Sequence, residues 1–298
     1  MRNAFIDELV ALAARNPAVA LIVGDLGYSV IEPFADRFPD RFINAGVAEQ
    51  NMMGLAAGMA SEGYHPFVYS IANFPLFRCA EQIRNDVDYH RLPVTIVSVG
   101  GGLAYGNLGY SHHAIQDYGL MRSLPNMLIA APGDPLEVRA CMRYLVDNPQ
   151  PSYLRLGKAG EPIFHREVPA VNPGAWLEVA TGTSAHGRRT LLTTGAVMGL
   201  ANAWLATAAC AGFSLHSMPL WGMKTKRDQA TFVAGWDSVV TIEDHLADAG
   251  FGSWLRESLE GSLHLMRTVS VRALNADVSG MVGSQSTLNA LGGLSAPL

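Results

Sequence analysis

Residues 42–54 read FINAGVAEQNMMG and set one carboxylate, Glu49, in a run of otherwise small or apolar side chains. The pattern there wants burial, so the carboxylate calls for a reason; favouring the start of a helix is the structural alternative. His112 and His113 stand side by side after a glycine-rich stretch, VGGGLAYGNLG at 99–109. Imidazole changes charge near neutral pH, so a pair at the mouth of a loop can move protons or bind hydroxyls; helix capping is the structural alternative. Asp25 and Ser29 follow the apolar run ALIVGDL, where they can face a ligand or simply form a turn. His245 follows SVVTIED with the same geometry. Phe74, in SIANFPLFRC, lies 25 residues after Glu49 and offers either core packing or a flat face for an aromatic ring. His65, His90, His165, His186, His216 and His264 have no such context.

The elements that would position these residues alternate. An amphipathic helix opens the chain, and 20–26 reads as a buried strand. Residues 47–63 read as a helix closing on Gly63, 65–71 as a strand, and 78–90 as a helix. Residues 92–102 read as a strand running into the glycine loop, 113–124 as a helix and 126–132 as a strand. A helix over 134–148 has Asp134 as N-cap and Pro135 at its first position, and 151–157 is a strand. Residues 159–187 break the rhythm with prolines and glycines and room for one short strand. Strands at 190–196, 213–220, 238–245 and 265–274 then alternate with helices at 197–212 and 252–261. This pattern predicts α/β architecture in two doubly wound domains with mostly parallel sheets, 1–165 and 186–298, joined by a linker at 166–185.

Composition narrows the class. With 298 residues, 49% of them hydrophobic, there is ample material for a core, while only 16% are charged, a hint of surface covered by partner chains. A net charge of −5 and the lack of a basic run longer than KTKR at 224–227 exclude nucleic acid as the expected partner. Cys79, Cys141 and Cys210 match no metal spacing and fit a reducing compartment. The first seventeen residues carry acidic groups and read as a helix rather than a signal peptide, and no apolar run approaches the ~20 residues needed to cross a bilayer. The expectation is a cytoplasmic protein with no membrane partner. Neither a Walker loop, an HExxH nor a GxSxG elbow is present.

In their order and spacing, these stretches resemble the C-terminal part of a transketolase over nearly the whole chain. FINAGVAEQNMMGLAAGMASEG is similar to the family segment with its glutamate, which falls on Glu49; ANFPLFRCAEQIRNDV to the segment with its aromatic stacking residue, which implicates Phe74 and Phe77. GYSHHAIQDYGLMRSLPNMLIAAPGDPLE resembles the family's G-x-[ST]-H stretch, PSYLRLGK the strand with a substrate-side arginine, and SVVTIEDHLADAGFGSWLRESL the E-x-H…G-x-GS signature of its C-terminal domain. The resemblance implies that Glu49 contacts N1′ of the aminopyrimidine of thiamine diphosphate, favouring the tautomer whose 4′-nitrogen takes the C2 proton. It implies Asp25, Phe74 and Phe77 at the cofactor, and Ser29, His112, His113 and Arg155 at a sugar substrate, with Glu49 and His112 catalytic and no metal ligand in this chain.

The family's diphosphate and metal signature, GDG…N, is missing: VGDLGYS at 23–29 has Leu26 at its third position, and Asn44 follows too closely. The resemblance therefore implies a split transketolase subunit whose N-terminal partner carries GDG…N and binds the diphosphate and Mg²⁺, in an α2β2 heterotetramer transferring a two-carbon ketol unit. Two positions depart from the family: Gly100 stands where a histidine is usual and Leu108 where an aspartate is, which leaves donor stereochemistry and phosphorylation open. The rivals are the β-subunit of a 2-oxo acid dehydrogenase, whose TPI-x-E context is absent, a deoxyxylulose-phosphate-synthase-like enzyme, and a non-catalytic scaffolding subunit.

Overall fold

The computed structural model describes residues 1–183 and 187–294. The expected boundary at 185/186, and His186, lie outside them. Twelve strands, named here in chain order, form two sheets among the described residues. The first holds β1 (Val19–Val23), β2 (Phe42–Asn44), β3 (His65–Ile71), β4 (Thr95–Val99), β5 (Leu128–Ala130) and β6 (Ser152–Leu156). The second holds β7 (Leu177–Ala180), β8 (Arg189–Thr193), β9 (Ser214–Ser217), β11 (Ser238–Leu246) and β12 (Val269–Leu274). The remaining strand, β10 (Leu220–Gly222), comes from the second half of the chain yet joins the first sheet, whose order is β10-β5-β6-β4-β3-β1-β2. The second sheet runs β12-β11-β8-β9-β7.

The α/β expectation holds. β1 to β6 pair with one another only in parallel, and β1 (VALIV) and β4 (TIVSV) are buried along their whole length, as strands covered on both faces must be. Arg2–Arg15 and Pro135–Asp147 pack together over one face, with Phe5, Leu9, Leu12, Val138, Met142 and Leu145 in a common apolar cluster. Glu8 is buried in this pair of helices and ionic with Arg139 and Arg143, at 3.2 and 2.7 Å. The N-cap at Asp134 is as expected: its carboxylate accepts the backbone N–H groups of Leu136 and Glu137. Glu49–Ser61 covers the other face through Met52, Met53, Ala56 and Ala60.

Several expectations are corrected. The two-domain division is not clean, because β10 pairs antiparallel with β5 and so completes the edge of the first sheet. Its Trp221 is fully buried among Tyr118, Phe251 and Trp254, ring centroids 5.1–5.2 Å apart, and donates to Thr194 Oγ1 at 3.0 Å. The one short strand for which the linker stretch left room is present as β7, antiparallel to β9. The expected helix over 78–90 is a short turn, Ala80–Gln82, that widens into a π-helix at Ile83–Asp88. The expected helix over 113–124 begins only at Asp117, because His113 is extended (φ −75°, ψ 117°) and lets Ala114 bridge back to Gly102. After Trp204 the expected helix over 197–212 ends where Thr207 turns extended. The short elements β2, Glu32–Arg37, Gln229–Val233 and Gln285–Leu291 span too few residues for periodicity to register.

Glu243 on β11 ties its sheet to the helix Phe251–Ser258. One carboxylate oxygen accepts Phe251 N–H at 2.5 Å and the other Gly252 N–H at 2.8 Å, beneath that helix's first turn. Burial pushes this carboxyl up to about 8, against the pull of the two N–H donors. The folded-state value is thus raised above the unfolded one, so Glu243's contribution is fully present below about pH 4.3 and is lost as pH rises to about 8. Glu243→Gln cannot titrate. Urea unfolding of wild type and variant at pH 5, 6.5, 8 and 9 should show their stability difference moving toward the variant up to pH 8, then levelling. A pH-independent difference would mean the N–H donors hold the carboxylate ionised throughout.

Candidate active site

Because the strands of the first sheet are parallel, their carboxyl ends share one edge, and the segments leaving them meet there. Asp25 follows β1, Asn44 ends β2 and leads to Glu49, Phe74 and Arg78 follow β3, the glycine loop follows β4, and Lys158 follows β6.

Glu49 begins its helix with only 6% of its surface exposed. Its Oε1 accepts Arg78 Nη1–H at 2.6 Å. Behind it, Cys79 is pushed up to about 12 by burial and by the Glu49 carboxylate. The Arg78 guanidinium lies 4.3 Å over the Phe74 ring, and the Phe74 ring meets the His112 ring at 5.2 Å, edge to face. Glu49, Arg78, Phe74 and His112 thus form one chain of contacts, with the flat cation in the slot between carboxylate and phenyl face. Arg78 is half exposed, and a cavity of about 500 Å³ opens in front of it, lined by Val47, Ala48, Glu49, Gln50 and Asn51. Sequence reading missed Arg78; its signal was a lone arginine four residues after Phe74. Phe77 is half exposed and stands outside this chain of contacts.

His112 is partly exposed, and its Nδ1 meets Ser111 Oγ at 3.0 Å. His113, expected beside it at the substrate, points elsewhere: it is fully buried, and neither ring nitrogen has a hydrogen-bond partner among the described residues. Burial lowers its pKa. The extended backbone that sends its neighbour back to Gly102 turns its ring inward, and its carbonyl accepts the Asn73 side-chain amide.

Arg155, expected to contact a phosphate, is placed differently. It is 2% exposed, and its guanidinium is engaged all round by protein groups. Nε donates to Asp117 Oδ2 at 2.7 Å, Nη1 to Asp244 Oδ1 at 2.6 Å, and Nη2 to the Ala114 carbonyl at 2.8 Å, while its charge sits 4.4 Å over the Tyr118 ring. Burial works against its charge, and the two carboxylates outweigh burial and raise its pKa. Asp117 belongs to the first sheet's helices and Asp244 to β11 of the second, so Arg155 joins the domains directly under the loop that carries His112. Gly101 and Gly102 make room for this: a Cβ at Gly101 would fall 2.7 Å from the Arg155 guanidinium and one at Gly102 2.3 Å from the Asp244 carboxylate. His245 is likewise withdrawn, 1% exposed, stacked on Tyr118 and bonded through Nδ1 to the Leu246 carbonyl at 2.7 Å.

Asp25 and Ser29 lie on the same rim, exposed, and both adopt left-handed backbone (φ 54° and 66°). The Asp25 carboxylate accepts Asn44 Nδ2–H and the Tyr28 hydroxyl, each at 2.9 Å, and these bonds hold it below the usual carboxylate range, Asn44 most strongly. Leu108 is exposed at the rim. Gly100 is not simply vacant: a Cβ there would fall 2.1 Å from the ring of Tyr105.

Residues 1–160 match the family model "Transketolase, pyrimidine binding domain". The chain is similar to one subunit of an apulose-4-phosphate transketolase from Phocaeicola vulgatus, 38% identical over 162 residues, 54% of this chain and 52% of that protein, so the match spans about half the length of that relative. It is similar to the putative transketolase C-terminal section of Methanocaldococcus jannaschii, 32% identical over 260 residues, 86% of this chain and 81% of that protein. A solved structure described as "Split gene transketolase, inactive beta4 tetramer" superposes with a TM-score of 0.83 at 30% identity, covering 98% of this chain and 93% of that one.

The Arg155 clamp has a measurable consequence. Arg155→Met leaves two buried carboxylates without their cation and should cost about 3–5 kcal/mol in urea unfolding. Asp244→Asn, which keeps a hydrogen-bonding oxygen at the same place, should cost less. Equal and small losses in both variants would mean that Arg155 does not hold the domains together.

Proposed function

We infer the function from the family to which this chain belongs, that of the transketolase pyrimidine binding domain. The chain supplies the pyrimidine side of a thiamine-diphosphate site. The diphosphate and its Mg²⁺ are held by a separate N-terminal subunit with the GDG…N motif, in an α2β2 heterotetramer. The pair transfers a two-carbon ketol unit from a ketose or ketose phosphate to an aldehyde acceptor.

The observation that carries this reading is the row Glu49, Arg78, Phe74, His112 on one edge of a parallel sheet. It fits an aminopyrimidine: a nearly buried carboxylate for a ring nitrogen and a phenyl face for the ring, with the Arg78 guanidinium between them. When bound, thiamine diphosphate supplies a carbon nucleophile and holds the electron pair released from the broken carbon–carbon bond. The chain's own residues do the rest. Glu49 holds a proton at the pyrimidine nitrogen, Phe74 orients the ring, and Arg78 moves aside while keeping its ion pair within reach. His112, next to Phe74 on a loop braced by Arg155, hydrogen-bonds the donor's hydroxyl and carbonyl oxygens and exchanges protons there. Asp25 and Ser29 border the same edge from β1. Cytoplasmic residence fits three free, buried cysteines, and no helix among the described residues is long and apolar enough to cross a membrane.

Two measurements test this. The chain alone should bind thiamine diphosphate poorly in calorimetry, even with Mg²⁺; micromolar affinity would remove the need for a partner. In the reconstituted enzyme, Glu49→Gln, nearly isosteric, should lower ketol transfer by ~10²–10⁴-fold or more with the fold intact. Deuterium exchange at C2 of the bound cofactor should slow with it. Wild-type exchange in the variant would reduce Glu49 to a carboxylate that merely favours the start of its helix.

A further inference from the structure

Resting on that reading, we propose that Tyr105 and Lys158 together form the specificity element of the site, with Tyr105 presenting the Lys158 ammonium to an anionic terminus of the sugar substrate. Four observations place them. Tyr105 fills the space over Gly100: its ring carbons come within 2.1–3.3 Å of where a Cβ at Gly100 would lie. A bulky group is therefore supplied to that spot from five residues on rather than from position 100, where the backbone is left-handed (φ 85°) and favours glycine. The same ring stands edge-on to His112, centroids 6.3 Å apart, so it borders the space beside that imidazole. Lys158, two residues beyond β6 and exposed, holds its ammonium 5.2 Å from the Tyr105 ring centroid. Two arginines of the site are already engaged, Arg155 by Asp117 and Asp244 and Arg78 by Glu49.

The chemistry follows. A lysine side chain is long and loses rotamer freedom when fixed. Resting on an aromatic face removes part of that loss beforehand, through attraction of the cation to the ring. The ring face satisfies the cation's field but none of its three N–H donors, which stay available for phosphate or carboxylate oxygens. The Tyr105 hydroxyl takes no part in holding the ammonium. Burial raises the phenol's pKa, so near neutral pH it offers no competing anion.

Phosphate and carboxylate termini share this chemistry, and three aldehydes separate them: glyceraldehyde, glyceraldehyde 3-phosphate and tartronate semialdehyde. In the reconstituted enzyme, Lys158→Met should raise KM for the charged acceptor used, relative to that for glyceraldehyde, by about tenfold. Tyr105→Leu should do the same and Tyr105→Phe should not, since the face and not the hydroxyl carries the cation. The charged acceptor whose KM responds identifies the terminus. A second readout needs no turnover. The chain's lysines are Lys158, Lys224 and Lys226, so selective ¹³C-lysine labelling gives a simple spectrum in which Lys158→Met assigns one signal. That signal should carry an upfield ring-current shift, lose it in Tyr105→Leu, and move on adding glyceraldehyde 3-phosphate or tartronate semialdehyde but not glyceraldehyde. A Lys158 signal blind to both anions, or equal KM changes for charged and neutral acceptors, overturns the proposal. Ketol transfer failing with every acceptor while the Lys158 signal still answers to anions would instead sink the reading of the function.

Discussion

A guanidinium shut away from water between two carboxylates is the constraint on which most else here depends. Arg155 reaches Asp117 and Asp244 at 2.7 and 2.6 Å, with all three side chains almost wholly buried. Desolvating three charges is costly, and the arrangement persists only because geometry and further hydrogen bonds offset that cost. The same guanidinium also holds the Ala114 carbonyl, the residue whose bridge to Gly102 closes the base of the loop carrying His112. Loop shape, domain docking and the inward turn of His113 are thus set together. Through Asp244 the second domain braces the loop on which His112 sits.

This bears on what was legible in the sequence. The alternation of elements gave the architecture, since long apolar runs such as VALIV and TIVSV have few alternatives to a doubly covered parallel strand. Glu49, Phe74 and His112 stood out because each breaks or punctuates its local pattern, and the structure brings them into one row. Arg155 misled for a physical reason. The likeness of PSYLRLGK to a substrate-side strand says nothing of the partners of the arginine's charge, and Asp244 lies 89 residues further on. His113 and His245 misled similarly, because burial is a property of the finished packing. Tyr105 was invisible as a substitute for a side chain at Gly100, since their proximity depends on how the glycine loop folds back. β10 could not be foreseen at all: a three-residue strand gives no periodicity, and its partner β5 is some ninety residues earlier.

On the proposed function, the row of site residues serves the pyrimidine end of the cofactor: a carboxylate, a phenyl face and an imidazole suit a flat heterocycle and offer little to a diphosphate. The planar guanidinium of Arg78 between Glu49 and Phe74 satisfies both groups in the meantime, neutralising the carboxylate and covering the ring.

The late strand β10 has a consequence for how such a chain comes into being. During synthesis the first six strands emerge well before Leu220–Gly222, and until then β5 presents an unpaired row of amide and carbonyl groups at the margin of an otherwise finished sheet. Such a margin invites pairing with another nascent chain. The amino-terminal half is therefore exposed to misassembly on the ribosome until the carboxyl-terminal half supplies its own seal, and a gene cut at the apparent linker would make that exposure permanent.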